Sequence, residues 1–189
     1  RLHHRDRHAA IEVGAVAVEH RVRLDRQENV KVARRAAAQA GLALARAEVP
    51  GWEAVRLGVV ALGKCGAREL NYVSDVDVLY VAEPAPGPDG QPAASASEAI
   101  AVATRLVASL SRVTSAHSAE GTIWQLDAAL RPEGKAGPLV RTLASMEAYY
   151  SRWAKDWEFQ AMLKARPMAG DLGLARAFVD MMAPLVWAV

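Results

Sequence analysis

The sequence predicts an α+β domain in which a small sheet is covered by helices. Two short apolar runs, Val55 to Leu62 and Val76 to Ala82, have the length and β-branched content of buried strands. The stretches flanking them have helical spacing and helix-favouring composition. The order of elements, helices, strand, loop, strand, helix, strand and helices, places a small sheet under helical cover.

Composition is consistent with this reading. The 189 residues are 52% hydrophobic, enough to bury the core of one domain, or of a domain with a helical appendage. Apolar runs such as Val59 to Leu62 fall well short of the roughly 20 residues of a membrane span. Arg1 to His8 is too charged for the apolar region of a signal peptide. A cytoplasmic protein with no membrane partner is therefore expected, and the lone Cys65 agrees with a reducing compartment. The 23 basic and 21 acidic residues leave a net charge of +2, a mixed surface that does not point to nucleic acid but suits nucleotide phosphates. The chain opens on Arg1 and closes on a helical pattern at Val189, so it reads as a piece of a longer protein.

Taken in order, His8 to Arg46 is rich in Ala, Val, Arg and Glu and reads as two helices, ended by Pro50-Gly51. The strand Val55 to Leu62 follows, then a glycine-containing loop and the strand Val76 to Ala82. Glu83 to Ser97, dense in Pro, Gly, Ala and Ser, reads as a mobile surface loop. A helix is expected from Ser97-Glu98 to about His117, with Ile100, Leu106, Val107 and Leu110 on one stripe. Thr122 to Leu130 reads as a third strand. Thr142 to Arg166 has helical spacing and is terminated by Pro167, and Gly170-Asp171 offers a turn and N-cap for a last helix. The implied segments are a helical 1–50, a core 51–141 and a helical extension 142–189.

The chemistry concentrates between the first two strands. Alternation puts Asp75 and Asp77 on one face at the start of the second strand, and Val76 and Val78 on the other. Two adjacent carboxylates repel, and a divalent cation is the natural compensation; oxygen-only ligands favour magnesium or manganese. In the third strand, Trp124, Leu126, Ala128 and Leu130 form one face, so Asp127 shares the other with Gln125 and Arg131. Pairing of this strand beside the second would bring three carboxylates around one or two metal ions, an arrangement used for in-line attack at phosphorus. The loop before Asp75 contains Gly63, Lys64 and Gly66, whose backbone amides and lysine charge suit phosphate oxygens.

The run Gly63-Lys64-Cys65-Gly66-Ala67-Arg68-Glu69-Leu70-Asn71-Tyr72-Val73-Ser74-Asp75-Val76-Asp77, with Asp127 shortly before Leu130-Arg131-Pro132, resembles the polymerase-β-like nucleotidyltransferase module of glutamine synthetase adenylyltransferases. Gly137-Pro138-Leu139-Val140, Tyr149-Tyr150, Trp157 to Ala161 and Lys164-Ala165-Arg166 extend the resemblance, which covers at least Leu57 to Asp171. Enzymes of that family carry two such modules: one transfers AMP from ATP to a tyrosine of glutamine synthetase, the other removes it with phosphate and releases ADP. Asn71 and Pro138-Leu139 look more like the removing module. The resemblance implies metal held by Asp75, Asp77 and Asp127, which would be the catalytic residues. It implies a phosphate cradle of Gly63, Lys64, Gly66 and Ser74, and Arg131 against developing charge. ADP or ATP is then the nucleotide, glutamine synthetase the partner, and the PII signalling protein a further partner through regions outside this chain. ATP-dependent adenylylation and a catalytically silent nucleotide-sensing or docking module are the rival readings. Two departures bear on this: Ala67 stands where the family usually has glycine, and Ala129 where an arginine often precedes Leu-Arg-Pro.

Other candidates have plainer readings. Cys65 lacks a nearby histidine and reads as a bystander; His3, His4 and His8 read as a solvated face. Tyr150, Trp153 and Trp157, at helical spacing, are expected in the core. Lys164 and Arg166 admit two readings, a solvated helix end or a phosphate contact, with Glu158 placed to order one of them by a salt bridge.

Overall fold

The computed structural model describes residues 38–70, 75–115, 117–118, 121–122 and 125–187. Most of the two amino-terminal helices, His3, His4, His8, Trp124 and the stretch Asn71 to Ser74 lie outside the described residues. In chain order, the elements are a helix over residues 38–48 (α1), β1 (Val55–Ala61), the single turn α2 (Gly63–Gly66), β2 (Val76–Pro84) and α3 (Ala96–Ser115). Three short strands follow, β3 (His117–Ser118), β4 (Gly121–Thr122) and β5 (Leu126–Asp127), then β6 (Val140–Arg141), α4 (Leu143–Tyr150), α5 (Asp156–Met162), β7 (Arg166–Gly170) and α6 (Leu172–Val186).

The two apolar runs are neighbours: β1 and β2 pair antiparallel from Val55 opposite Pro84 to Ala61 opposite Val78. β7 joins β1 antiparallel, while β5 and β6 dock in turn, both parallel, along the remaining edge of β2. The protein is thus α+β with a small mixed sheet, as the sequence predicts. β3 and β4 pair antiparallel with each other.

Strand alternation sorts the core into two layers. Val76, Val78, Tyr80 and Ala82 of β2 pack with Leu42 of α1 and Leu106 and Leu110 of α3. Leu79 and Val81 face the other way, against Met146, Tyr150, Phe178 and Met182 of α4 and α6. Among the described residues, no helix is long and apolar enough to cross a membrane.

Several local expectations change. Thr142 to Arg166 is two short helices and the start of a strand. Its chain leaves α4 at Ser151, and Arg166–Gly170 adds to the sheet in spite of Pro167. Proline is tolerated there because β7 is an edge strand and the register with β1 shifts between Val59 and Val60, next to the Val60–Pro167 pair. The expected core stripe divides: Tyr150 is buried, but Trp153 is 72% and Trp157 43% exposed, since the break after α4 destroys the common helical face. Of the expected strand Thr122 to Leu130, the described residues place Thr122 in β4 and Leu126–Asp127 in β5. The Glu83 to Ser97 loop is closed by backbone bonds, Gly87 N–H to Gln91 O at 2.6 Å and Ala93 N–H to Ala85 O at 2.8 Å. Ser95 and Glu98 then start α3 reciprocally: the Glu98 N–H donates to Ser95 Oγ, and the Ser95 N–H to Glu98 Oε2.

Asp171 caps α6 by accepting the Leu174 N–H at 2.8 Å, and its other oxygen accepts Arg56 Nε from β1 at 2.6 Å. The Arg56 hydrogen bond holds the Asp171 carboxyl below the usual carboxylate range, against the opposing effect of partial burial. The folded value lies below the unfolded one, so this stabilisation is present above about pH 4, the ordinary aspartate range, and is lost as pH falls through the lowered value. Asp171→Ala is expected to cost about 1–2 kcal/mol at neutral pH, mostly the cap, and Asp171→Asn less, because its amide oxygen still caps. Urea unfolding checks both, and the Asn deficit should shrink as pH falls through the lowered Asp171 value; a deficit equal at neutral and at acid pH would remove the ion pair from the account.

Candidate functional site

The site is built at the start of β2, where β1 has just delivered the chain into α2. The N–H of Leu62 donates to Asp77 O at 2.9 Å, which holds the glycine turn beside the carboxylate strand. Gly63 has φ +47°, in the left-handed region, and a Cβ there would lie 2.5 Å from Asp77 Oδ2. Glycine at 63 thus lets the chain turn and lets the Asp77 carboxylate lie against it. A Cβ at Gly66 would lie 1.9 Å from the carbonyl oxygen of Lys164, so this glycine is explained by close packing of the turn against the approach to β7. The amides of Gly66, Ala67, Arg68 and Glu69 are spent on Leu62, Gly63, Cys65 and Lys64 carbonyls, and so are not donors to an anion. Ala67 sits at φ −69° in the right-handed region, and Arg68 takes the positive φ of 64°. The absence of glycine at 67 therefore creates no strain at 67.

Asp127 reaches the same place from β5. Val76 pairs with Leu126 and Asp77 with Asp127 in parallel register, and the Val76 N–H donates to Gln125 O at 3.0 Å. Register partners in a parallel pair share a face, so Asp127 and Asp77 project from the same side of the sheet. Burial, and then the charges of Asp127 and Asp75, push the Asp77 carboxyl above the usual carboxylate range, against the opposing charge of Lys64. Asp75 is exposed. Asp127 is ordered within its own loop, its Oδ1 accepting the Ala129 N–H at 2.8 Å.

This donor set, anionic and oxygen-only, fits a hard divalent cation in its chemistry. Among the described residues, however, no three His, Cys, Asp or Glu side chains are gathered as a set that could hold a metal ion. The backbone brings Asp77 and Asp127 together; the side chains of all three aspartates are not drawn onto a single point.

The other expected site residues divide. Lys64 faces the Asp77 charge, and Ser74 lies outside the described residues. Arg131 is turned onto its own loop, donating to Gly137 O at 3.1 Å, Ala128 O at 2.9 Å and Lys135 O at 3.0 Å. Arg166 donates to Gly66 O at 3.2 Å and Cys65 O at 3.1 Å, bracing the glycine turn. Lys164 pairs at the surface with Glu69 at 3.1 Å. Glu158 orders neither of these by a salt bridge: it is 1% exposed and accepts from Tyr149 Oη and the Lys155 N–H. The sequence signal for Glu158 was a carboxylate set between aromatic residues, Trp157 and Phe159.

A sequence model of the glutamate-ammonia ligase adenylyltransferase family matches residues 27–181. The chain belongs to that family. Similar proteins are named bifunctional glutamine synthetase adenylyltransferase/adenylyl-removing enzyme. That of Cutibacterium acnes is 61% identical over 150 residues, covering 79% of this chain and 15% of the relative. That of Streptomyces avermitilis is 57% identical over 150 residues, 79% of this chain and 14% of the relative. That of Bifidobacterium longum is 49% identical over 156 residues, 81% of this chain and 14% of the relative. The chain thus spans about one seventh of the length of these adenylyltransferase relatives.

The two glycines should fail differently. Gly66→Ala meets backbone and is expected to cost about 2–4 kcal/mol. Gly63→Ala meets a side chain that can swing away, so about 1–2 kcal/mol of backbone strain is expected together with displacement of Asp77. Denaturant unfolding gives the ranking, and a Gly66→Ala variant as stable as wild type would contradict the packing described.

Proposed function

We propose that this chain is a polymerase-β-like nucleotidyltransferase core acting on glutamine synthetase in the cytoplasm, and that it removes AMP from the adenylylated tyrosine with phosphate, releasing ADP. In this reading 1–50 is a helical amino-terminal segment, 51–141 the catalytic core and 142–189 the start of a helical extension. The observation that carries it is the parallel register that sets Asp127 opposite Asp77 beside the glycine-lysine turn. The family match and the names of the relatives supply the substrate.

Asp75, Asp77 and Asp127 would hold Mg²⁺ or Mn²⁺, which supplies neutralising charge at the phosphorus. An oxygen of inorganic phosphate attacks the phosphorus of the AMP–tyrosine ester, the bond to the tyrosine oxygen breaks, and the tyrosine hydroxyl is regenerated. Asp127 orients the attacking phosphate or takes its proton. Gly63, Lys64 and Ser74 receive the phosphates, with Lys64 giving the positive charge; Gly66, Arg131 and Arg166 act by shaping the loops. Lys164 stands beside the turn and loses its Glu69 contact if it turns to phosphate. The direction rests on Asn71 and Pro138-Leu139, which resemble the adenylyl-removing module. PII would act through regions outside this chain.

Incubating the chain with adenylylated glutamine synthetase, phosphate and magnesium is expected to yield ADP. Labelling of unmodified glutamine synthetase by ATP, with no ADP in the first assay, would reverse the direction and keep the chemistry. Asp77→Asn is expected to lower turnover at least about a hundredfold while leaving the metal-free fold as stable or more so, since one of three crowded charges is gone. Turnover like that of wild type in this variant would rule out the carboxylate assignment.

A further inference from the structure

We propose that Glu158 is a positioning residue for the candidate site, its buried carboxylate tying the loop that follows Asp127 to the strand that braces the Gly63–Gly66 turn. The reading rests on the nucleotidyltransferase proposal above for its consequence in catalysis, but the coupling itself is a property of the fold.

Burying a carboxylate costs several kcal/mol unless hydrogen bonds replace water, and an apolar side chain packs such a site at least as well. Glu158 is 1% exposed on α5, among Tyr149, Tyr150 and Phe159. Its oxygens accept from Tyr149 Oη at 3.0 and 3.1 Å, and Oε2 also accepts the Lys155 N–H at 2.9 Å, so it both starts α5 and fastens it to α4.

Two arms leave this point. Through Tyr149, whose oxygen accepts the Glu133 N–H at 3.2 Å, it reaches the loop between β5 and β6. That same loop is closed internally by Arg131 and tethered again by Arg141, which donates to Glu133 Oε2 at 2.5 Å and lies over the Tyr149 ring. At its start stands Asp127, held by the Ala129 N–H. Through α5 the second arm is shorter. Leu163 and Ala165 turn back on Gln160 and Met162, delivering the Lys164 carbonyl against Gly66 and Arg166 onto the Cys65 and Gly66 carbonyls. The two loops flanking Asp77 therefore share one buried anchor where α5 is fastened to α4.

The test is amide hydrogen exchange on the full chain, comparing wild type with Tyr149→Phe, Glu158→Leu and Glu158→Gln. Glu158→Leu is expected to speed exchange about tenfold or more at Ala129 and Gly134 in one loop and at Gly66 and Ala67 in the other. Tyr149→Phe, which keeps the ring and loses only the hydroxyl, should affect Ala129 and Gly134 alone. Glu158→Gln still accepts both hydrogen bonds and should stay close to wild type, a rescue that simple loss of packing does not give. Unchanged protection at Ala129 and Gly134 in folded Tyr149→Phe overturns the proposal, as does an equal increase throughout β1 and β2, which would mean general destabilisation. In the adenylyl-removal assay Tyr149→Phe and Glu158→Leu should lower kcat more than they raise KM for phosphate, while Glu158→Gln stays close to wild type. Absence of turnover in wild type, with the exchange pattern as expected, counts against the functional reading and leaves the coupling standing.

Discussion

Strand β2 is bonded along both edges, to β1 over most of its length and to β5 and then β6 on the other side, so it lies inside the sheet. Its side chains must then sort strictly onto two covered faces, and a slip of one residue would exchange Val76 and Val78 for Asp75 and Asp77 in the layer under α3. The position of the carboxylates follows from that constraint. They occupy the face on which Leu79 and Val81 are packed under α4 and α6, at the end of the strand where that cover stops.

Around this strand, charge is used more for framing than for reaching outward. Arg131 and Arg166 each have their guanidinium nitrogens on backbone carbonyls of a loop next to Asp77, where the planar fork satisfies several acceptors at once in a way a lysine does not. Asp127 does the same on a smaller scale with Ala129. Close approach completes the frame, since Gly63 admits the Asp77 carboxylate and Gly66 admits the Lys164 carbonyl. Buried Glu158 belongs to this group of groups that hold rather than react.

Much of this was legible from the chain. Val55 to Leu62 and Val76 to Ala82 were readable as strands because a short, largely apolar, valine-rich run bounded by turn formers has few other stable uses. The common face of Asp75 and Asp77 needed only the alternation of a strand. The stretch from Thr142 to Gly170 was not legible, because helical spacing does not say where a helix stops. Trp153 and Trp157 sit at the right intervals for a core stripe, but the chain breaks at Ser151 and leaves both exposed. Pro167 looked like a terminator because only the finished sheet reveals that its strand lies at an edge, next to an irregular register.

What the sequence by itself determined are the properties that depend on nearest neighbours along the chain: the two central strands, the paired aspartates, the glycine-lysine turn and the membership of a family that carries them. What only the tertiary structure decided are the relations between segments far apart in sequence. Asp127 meets Asp77 through a two-residue parallel pairing, Arg166 meets the turn a hundred residues before it, and the Glu158 carboxylate is buried against Tyr149 of α4. No local pattern encodes these, since a parallel pairing or a buried hydrogen bond is stabilised only once the intervening chain has packed and excluded water.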